Sequence, residues 1–517
     1  WGRLTNRQVK QAAGTCYSFF TSRYSNEKRH SRLRRQASTH CSASMHPPRG
    51  KGDAVKGGQR AVTDFSDPAL VTSDKLPGVE RAVSEDDLRD LIRDNLEPDL
   101  DVWREHQLGA GDFMALLRQI DQQWPDYRRN FVALVAIRNN SVSWWAYPGA
   151  RSWCSSRVRH AKHSALHSSL AFQAPCLQLP VNPHSLTQVQ RTKEELERHI
   201  RSHGLQFPDT VFVMNGYDKP LCPAGMCAAP VFSFGKCWDP APGDAGCYPD
   251  AAKGSPAASS VQELQTNTTM AGVAAGSAAM STASKRKRHS PYDDLLLPVL
   301  NHPFDQLVSY PWALKTNKAF MRAGLYAAMA ANCSRVQLVR LAAKPSARRW
   351  LDVGIYKNRH WRVKLSTVSP IPMEYHARYR FVINTDGQAA SWRLAKLLAM
   401  NSAILKWKSS SIEYYYRSLK PGLHYLDINA SSLVPVIEHL QAPSQLHGLE
   451  AMASRAQVFA YRYLSQLSRT AYARAALAQY SQLYKPGDLR GLLDLVPPGQ
   501  ALSIPGLLRA WAAAGRA

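Results

Sequence analysis

The stretch that decides the fold is Tyr379–Lys406, YRFVINTDGQAASWRLAKLLAMNSAILK. An apolar run, Phe381 to Ile383, leads into the turn Thr385-Asp386-Gly387-Gln388, and a helical pattern over 391–400 follows with Arg393 in its first turn. A second apolar run, Ala403 to Leu405, closes the segment. Strand, helix and strand in this order predict a parallel pair joined by a crossover. Arginine beside a helix N-terminus adds positive charge to an end that already carries some. That combination fits an anion held between two positive sources.

The alternation continues downstream: helix 411–418, strand 423–428, helix 431–440, then two long Ala/Leu/Tyr-rich helices over 449–465 and 468–484. Such alternation predicts a parallel sheet covered by helices. Upstream, Ser84 followed by three acidic residues reads as an N-cap, with Leu88, Leu91 and Ile92 on one face. A second amphipathic helix spans about 111–121. FVALVAI (131–137) and VSWWA (142–146) flank Arg-Asn-Asn-Ser and read as a hairpin. Thr192 with Glu195 reads as a capping box opening a helix that closes at Gly204. VFVM (211–214) is a short buried strand ending in Asn215-Gly216-Tyr217-Asp218.

Five segments emerge: a basic tail (1–83), an α/β unit (84–238), a Gly/Ala/Ser/Pro-rich insert (239–290), a second α/β unit (291–485) and an extension (486–517). The tail has the composition of a disordered segment and also of a transit peptide. The stretch 149–183 receives no assignment. The insert ends in KRKRH (285–289), read as a solvated loop rather than an import signal. Two open α/β sheets place ligands at strand carboxyl ends, in the cleft between units.

Sixty-five Lys and Arg against 39 Asp and Glu give a net charge of +26. That field attracts nucleic acid, anionic lipid or phosphate-bearing substrates. No run of apolar residues is long enough to span a membrane. Cys222, Cys227, Cys237 and Cys247 crowd one stretch without a Cys-x-x-Cys pair, which argues against zinc and leaves disulfides or free thiols. Asn139, Asn267, Asn332 and Asn429 stand in glycosylation sequons.

Several constellations are better read structurally. His199 and His203 share a helix face without a third ligand, so a wet helix surface is expected. Asp293-Asp294 starts a strand rather than a metal site. No Gly-x-Ser-x-Gly elbow supports a serine hydrolase, and no common RNA module is present. Asp218, just past a strand, is a turn former by residue type and a candidate base by position. Arg393, with the turn from Gly387, could take phosphate; Arg322 could supply a second cation.

Together these residues resemble glycosyltransferase family 90, the group of the capsule-associated proteins and protein O-glucosyltransferases. The resemblance rests on the opening stretch followed by EYYYRSLKPGLHYLDIN (413–429), and on WALKTNKAFMRAG (312–324), YDDLLLP (292–298), PVFSFGK (230–236) and FVMNGYDKP (212–220), in order. It implies a GT-B-like α/β fold, two Rossmann-type domains facing a cleft, with closing helices. It also implies an inverting enzyme that needs no metal or other cofactor, using UDP-glucose or UDP-xylose as donor and a protein or glycan hydroxyl as acceptor. A monomer without a specific nucleic-acid partner, in the lumen of the endoplasmic reticulum or Golgi, is expected. Under the resemblance Asp218 is the base, and Arg322, Gly387, Ser391 and Arg393 lie at the UDP. One departure stands out: the family's Arg-Gly is Arg322-Ala323 here, with Arg335 a later partner for the missing second arginine. It keeps open an inactive member acting as a basic nucleic-acid or partner-binding protein.

Overall fold

Two five-stranded sheets organise the computed structural model, which describes residues 67–79, 84–105, 107–124, 129, 131–146, 183–240, 289–300, 306–327, 329–495 and 503–516. The readings for 1–66, most of 149–183, the core of the insert and most of KRKRH lie outside the described residues. The short strand β1 (Val71–Ser73) precedes α1 (Glu85–Asn95), α2 (Glu97–Arg104) and α3 (Ala110–Arg118). The Ser84 side chain accepts from the Asp87 amide, so the predicted N-cap is made.

The first sheet joins β2 (Val132–Arg138), β3 (Ser141–Ala146), β4 (Thr210–Asn215), β5 (Val231–Ser233) and β7 (Leu295–Leu296) in the order β3-β2-β4-β5-β7. β2 and β3 form the expected hairpin, and its turn residues Asn139 and Asn140 have φ of 49° and 57°. Positive φ at both positions is the two-residue turn that matches strand twist. β4, β5 and β7 run parallel, while β2 pairs antiparallel with β4. β7 comes after the insert, so the chain returns to the first sheet before building the second. Before β4 comes α4 (Pro183–His203), closed by Gly204 at φ 62°. Thr192 therefore lies inside this helix and is buried, not at its start. The helical pattern extends upstream to Pro183, whose fixed φ suits a first turn, and it overrides the local capping signal.

The second sheet is wholly parallel: β9 (Thr316–Leu325), β10 (Leu351–Asn358), β11 (Tyr379–Asn384), β12 (Ala403–Trp407) and β14 (Leu426–Ile428), in the order β10-β9-β11-β12-β14. Numbered by appearance this is the doubly wound order 2-1-3-4-5, whose switch point lies between β9 and β11. Side chains alternate between two cores. Phe381, Ile383, Ala403 and Leu405 enter one, whereas Val382 and Ile404 enter another shared with the first sheet. Burial on both faces is what a parallel sheet requires, and it explains the continuous apolar runs. Helices α5 (Ser334–Ala342), α6 (Arg393–Leu398), α7 (Leu433–Leu440), α8 (Pro443–Tyr463) and α9 (Gln466–Gln482) complete the layers. α9 crosses back to the first sheet, where Tyr480 contacts Phe212 and Phe232 and donates to the Val211 carbonyl at 3.2 Å.

Where a helix over 411–418 is expected, the chain forms β13 (Ser411–Ile412) and a single 3-10 turn, Tyr416–Ser418. β13 pairs antiparallel with β6 (Lys236–Cys237), a segment between β5 and the insert. A two-strand ladder therefore ties the two units together, and tertiary pairing wins over the local helical pattern. A similar small pair, β1 with β8 (Leu307–Ser309), closes the other side. None of the described helices is long and apolar enough to cross a membrane.

Candidate active site

The loop that carries Asp218 is fastened from below. Asn215, the last residue of β4, donates through Nδ2 to the Lys219 carbonyl at 2.7 Å and to Ser233 Oγ at 2.9 Å. Its Oδ1 accepts from the Tyr217 amide at 2.8 Å. Past the loop, the buried Asp294 carboxylate accepts from the amides of Leu221 (2.9 Å) and Cys222 (2.8 Å) and from Ser233. Burial pushes this carboxyl upward, against the pull of those donors. Asp293 Oδ2 accepts from the Gly225 amide at 2.6 Å. The acidic pair thus precedes a strand as expected, and its work is to pin residues 221–225. A disulfide, Cys222–Cys227, closes the same loop. Asp218 itself is half-buried at the bend after β4.

Gly235 sits where this loop meets the second unit. A Cβ at Gly235 would lie 3.2 Å from the Ile412 carbonyl, 3.9 Å from Ala390 Cβ and 4.0 Å from the Asp218 carbonyl. The Asp218 loop and the turn before Arg393 therefore both come within about 4 Å of the place a side chain at this glycine would take. A side chain there would have to push β13 aside, which accounts for glycine at this place. Just behind, Lys236 Nζ is buried against Asp99 Oδ1 at 2.7 Å and donates to the Asp294 carbonyl at 2.9 Å. Arg417 reaches the same Asp99 oxygen at 2.5 Å.

On the second sheet, the loops leaving β9 and β11 meet at the switch point. Arg335, at the start of α5, is buried, and its Nη1 donates to the Gly324 carbonyl. A Cβ at Gly387 would lie 3.5 Å from Arg335 Nη2, so the Thr385–Gln388 turn rests directly on this guanidinium. Arg393 opens α6, a helix of only six residues with no side-chain cap. So short a helix contributes little beyond its arginine. Burial, with Arg335 next, pulls the Arg393 guanidinium down to about 9; burial also lowers Arg335. Tyr326 and Tyr356 lie close enough to act on both arginines. Arg393 Nη1, Arg335 Nε and both side-chain amide atoms of Asn384 are buried without a partner among the described residues. Two clustered cations with unfilled donors are a place where an anion is missing rather than a finished structural network. Ser391 is buried, and its carbonyl accepts from the Leu394 amide at 2.9 Å.

Arg322 is placed otherwise. It projects from the middle of β9 on the face of Phe320, lies over that ring at 4.4 Å from its centroid, and pairs with Asp352 of β10 at 2.7 Å. Tyr379 donates to the other Asp352 oxygen at 2.7 Å. Its charge is therefore engaged by a carboxylate, although it still reaches His376. Burial, Arg393 and Arg322 together hold that imidazole down to about 3. Ala323 faces the core and is fully enclosed, so a methyl is accommodated there. The close approach falls one residue later: a Cβ at Gly324 would lie 3.0 Å from Tyr326 Oη.

Sequence reasoning passed over Glu413 and Asp386. Glu413 is buried, burial raises its carboxyl to about 8, and Asp386 adds to the rise although Tyr416 donates to it at 3.2 Å. The misread helix at 411–418 concealed it. His199 departs from the wet surface expected: it is buried, and its Nδ1 lies 2.6 Å from Thr470 Oγ1. Among the described residues no group of three or more His, Cys, Asp or Glu side chains has metal-site geometry.

Comparison with known proteins bears on the second unit. The family model described as Glycosyl transferase family 90 matches residues 304–498. The chain is 30% identical over 185 residues to the O-glucosyltransferase rumi homolog of Anopheles gambiae, which covers 34% of this chain and 44% of that protein. It is 23% identical over 197 residues to Protein O-glucosyltransferase 1 of Homo sapiens, covering 36% of this chain and 48% of that protein. The chain thus spans less than half the length of these curated relatives. A solved structure, that of the GtfA/B complex, aligns at a TM-score of 0.31 and 13% identity, covering 56% of this chain and 61% of that one.

Proposed function

With residues 304–498 belonging to glycosyl transferase family 90, we propose that the protein is an inverting glycosyltransferase that moves glucose or xylose from a UDP-sugar to a hydroxyl of a protein or glycan acceptor. One observation carries this reading: buried Arg335 and half-buried Arg393 keep open donors at the switch point, while the Asp218 loop and Ala390, three residues before Arg393, both approach Gly235. Asp218 takes the acceptor O–H proton as that oxygen attacks the anomeric carbon. The bond from that carbon to the diphosphate breaks on the opposite face, and UDP leaves. The leaving group gains negative charge, which preorganised guanidinium donors stabilise in an enclosed site. Arg393 and Arg335 supply this role, with the turn at Gly387 and Ser391 shaping the wall and Arg322 one step removed through His376. Two arginines give the diphosphate its counter-charge without calling on a metal. The resemblance to lumenal O-glucosyltransferases and the Cys222–Cys227 disulfide favour a secretory compartment.

The test is Asp218→Asn, which keeps the size of the side chain. Transfer from UDP-glucose or UDP-xylose to acceptor should fall by about 100- to 10,000-fold, which is what a general base is worth. UDP affinity by titration should stay within threefold. Retained turnover would remove Asp218 from the role.

A further inference from the structure

The loop that follows β10 inverts the usual order of inside and outside. In the run KNRHWRVK (357–364), His360 and Val363 are buried, whereas Trp361 between them is 72% exposed. The inversion is built in. His360 Nε2 donates to the Met329 carbonyl at 2.9 Å, and its Nδ1 accepts from the Arg362 amide at 3.2 Å. Asn358 Nδ2 donates to the Val363 carbonyl at 2.8 Å, and the Arg359 amide donates to the Leu325 carbonyl at 2.7 Å. A histidine anchor of this kind fixes the backbone and holds the indole outward. Held outward on a fixed loop, this tryptophan presents one aromatic face with a polar edge, the kind of side chain enriched at contact surfaces.

Its surroundings state the partner's chemistry. Lys357, Arg359, Arg362 and Lys364 are all exposed, with the Arg362 guanidinium 4.3 Å from the Trp361 ring centroid. From Val353 to Met373 the chain contains no Asp or Glu. The patch also borders the candidate donor site: Tyr356, at its edge, hydrogen-bonds Tyr326 and acts on Arg335 and Arg393. We propose that Trp361 and the four surrounding cations dock an anionic sugar chain beside that site. One flat, isolated aromatic face suits the C–H face of a single pyranose ring, with carboxylate or sulfate groups turned out to the cations. Peptide docking relies on a recessed apolar pocket for an anchor side chain, and single-stranded nucleic acid on successive aromatic faces. Among the described residues Trp361, at 72%, is the most exposed aromatic of the patch, with Tyr356 at 37% on its edge. The proposal goes beyond the donor-site reading and does not need it, because docking is measured without donor.

The experiment titrates the full chain with a hexuronate hexasaccharide, a neutral hexaglucose, poly-glutamate and an oligo-dT in parallel. Wild type should bind the hexuronate and not the neutral chain. Trp361→Ala should weaken the hexuronate about tenfold. Arg362→Glu with Lys364→Glu should weaken binding more than Trp361→Ala does and flatten its salt dependence. UDP affinity should be unchanged in both variants, which separates this idea from the nucleotide reading. Hexuronate binding that ignores all three substitutions overturns the proposal and assigns the charge effect elsewhere. Poly-glutamate or oligo-dT binding that depends on Trp361 as strongly as hexuronate binding does would overturn it in favour of a peptide or nucleic-acid surface.

Discussion

Replacing Arg393 by methionine separates a binding residue from a structural one. Burial and the neighbouring Arg335 pull the guanidinium down to about 9, and its Nη1 has no hydrogen-bond partner among the described residues. A folded value below the unfolded one means that the folded state binds fewer protons above pH 9, so stability rises with pH from there until the unfolded chain also deprotonates. Below pH 9 the cost of holding the charge is present in full. For a group of partial exposure that cost is on the order of 2 kcal/mol, after allowance for solvent screening. Arg393→Met should therefore leave Tm at neutral pH unchanged or raise it slightly. A lost charge-assisted hydrogen bond to phosphate is worth about 1.5–3 kcal/mol. UDP affinity should then drop roughly 10- to 150-fold. The assay is calorimetric titration with UDP, with thermal unfolding of both proteins with and without UDP. A Tm loss of several degrees together with unchanged UDP affinity would refute the reasoning and make Arg393 a packing residue.

Two further outcomes follow from local geometry. The Glu413 carboxyl is raised to about 8 from an ordinary 4.5, so its contribution to stability is complete below pH 4.5 and is lost as pH rises through 8. Glu413→Gln should flatten the fall in Tm between pH 5 and 9, and an unchanged alkaline limb would place the titration elsewhere. A Cβ at Gly354 would lie 2.5 Å from Val368 Cγ2, while the Val368 amide is held by the Ile355 carbonyl at 2.9 Å. Gly354→Ala should cost about 1–3 kcal/mol in denaturant unfolding, and Val368→Ala on the same chain should recover most of it. Simple additivity in that cycle would show that the two positions do not collide.

The sequence by itself determined the second sheet's character. Apolar runs without alternation at 381–383 and 403–405 can only be strands buried on both faces, and the run between them only a crossover. Motif order then pointed to Asp218, Gly387 and Arg393. What the tertiary structure decided was which groups meet. The strand β9 holding Arg322 was not legible as a strand, and pairing with β10 committed that arginine to Asp352. Arg335 came to the site instead because the switch point brings the loop after β9 against the turn after β11. Residues 411–418 looked helical, and His199 looked wet. Pairing with β6 made the first partly a strand, and packing against α9 buried the second. Each reversal has one physical cause. Local propensity differs between alternatives by about a kcal/mol or less per residue. Satisfying a buried backbone group or covering an apolar face is worth more, and only a distant part of the chain can do it.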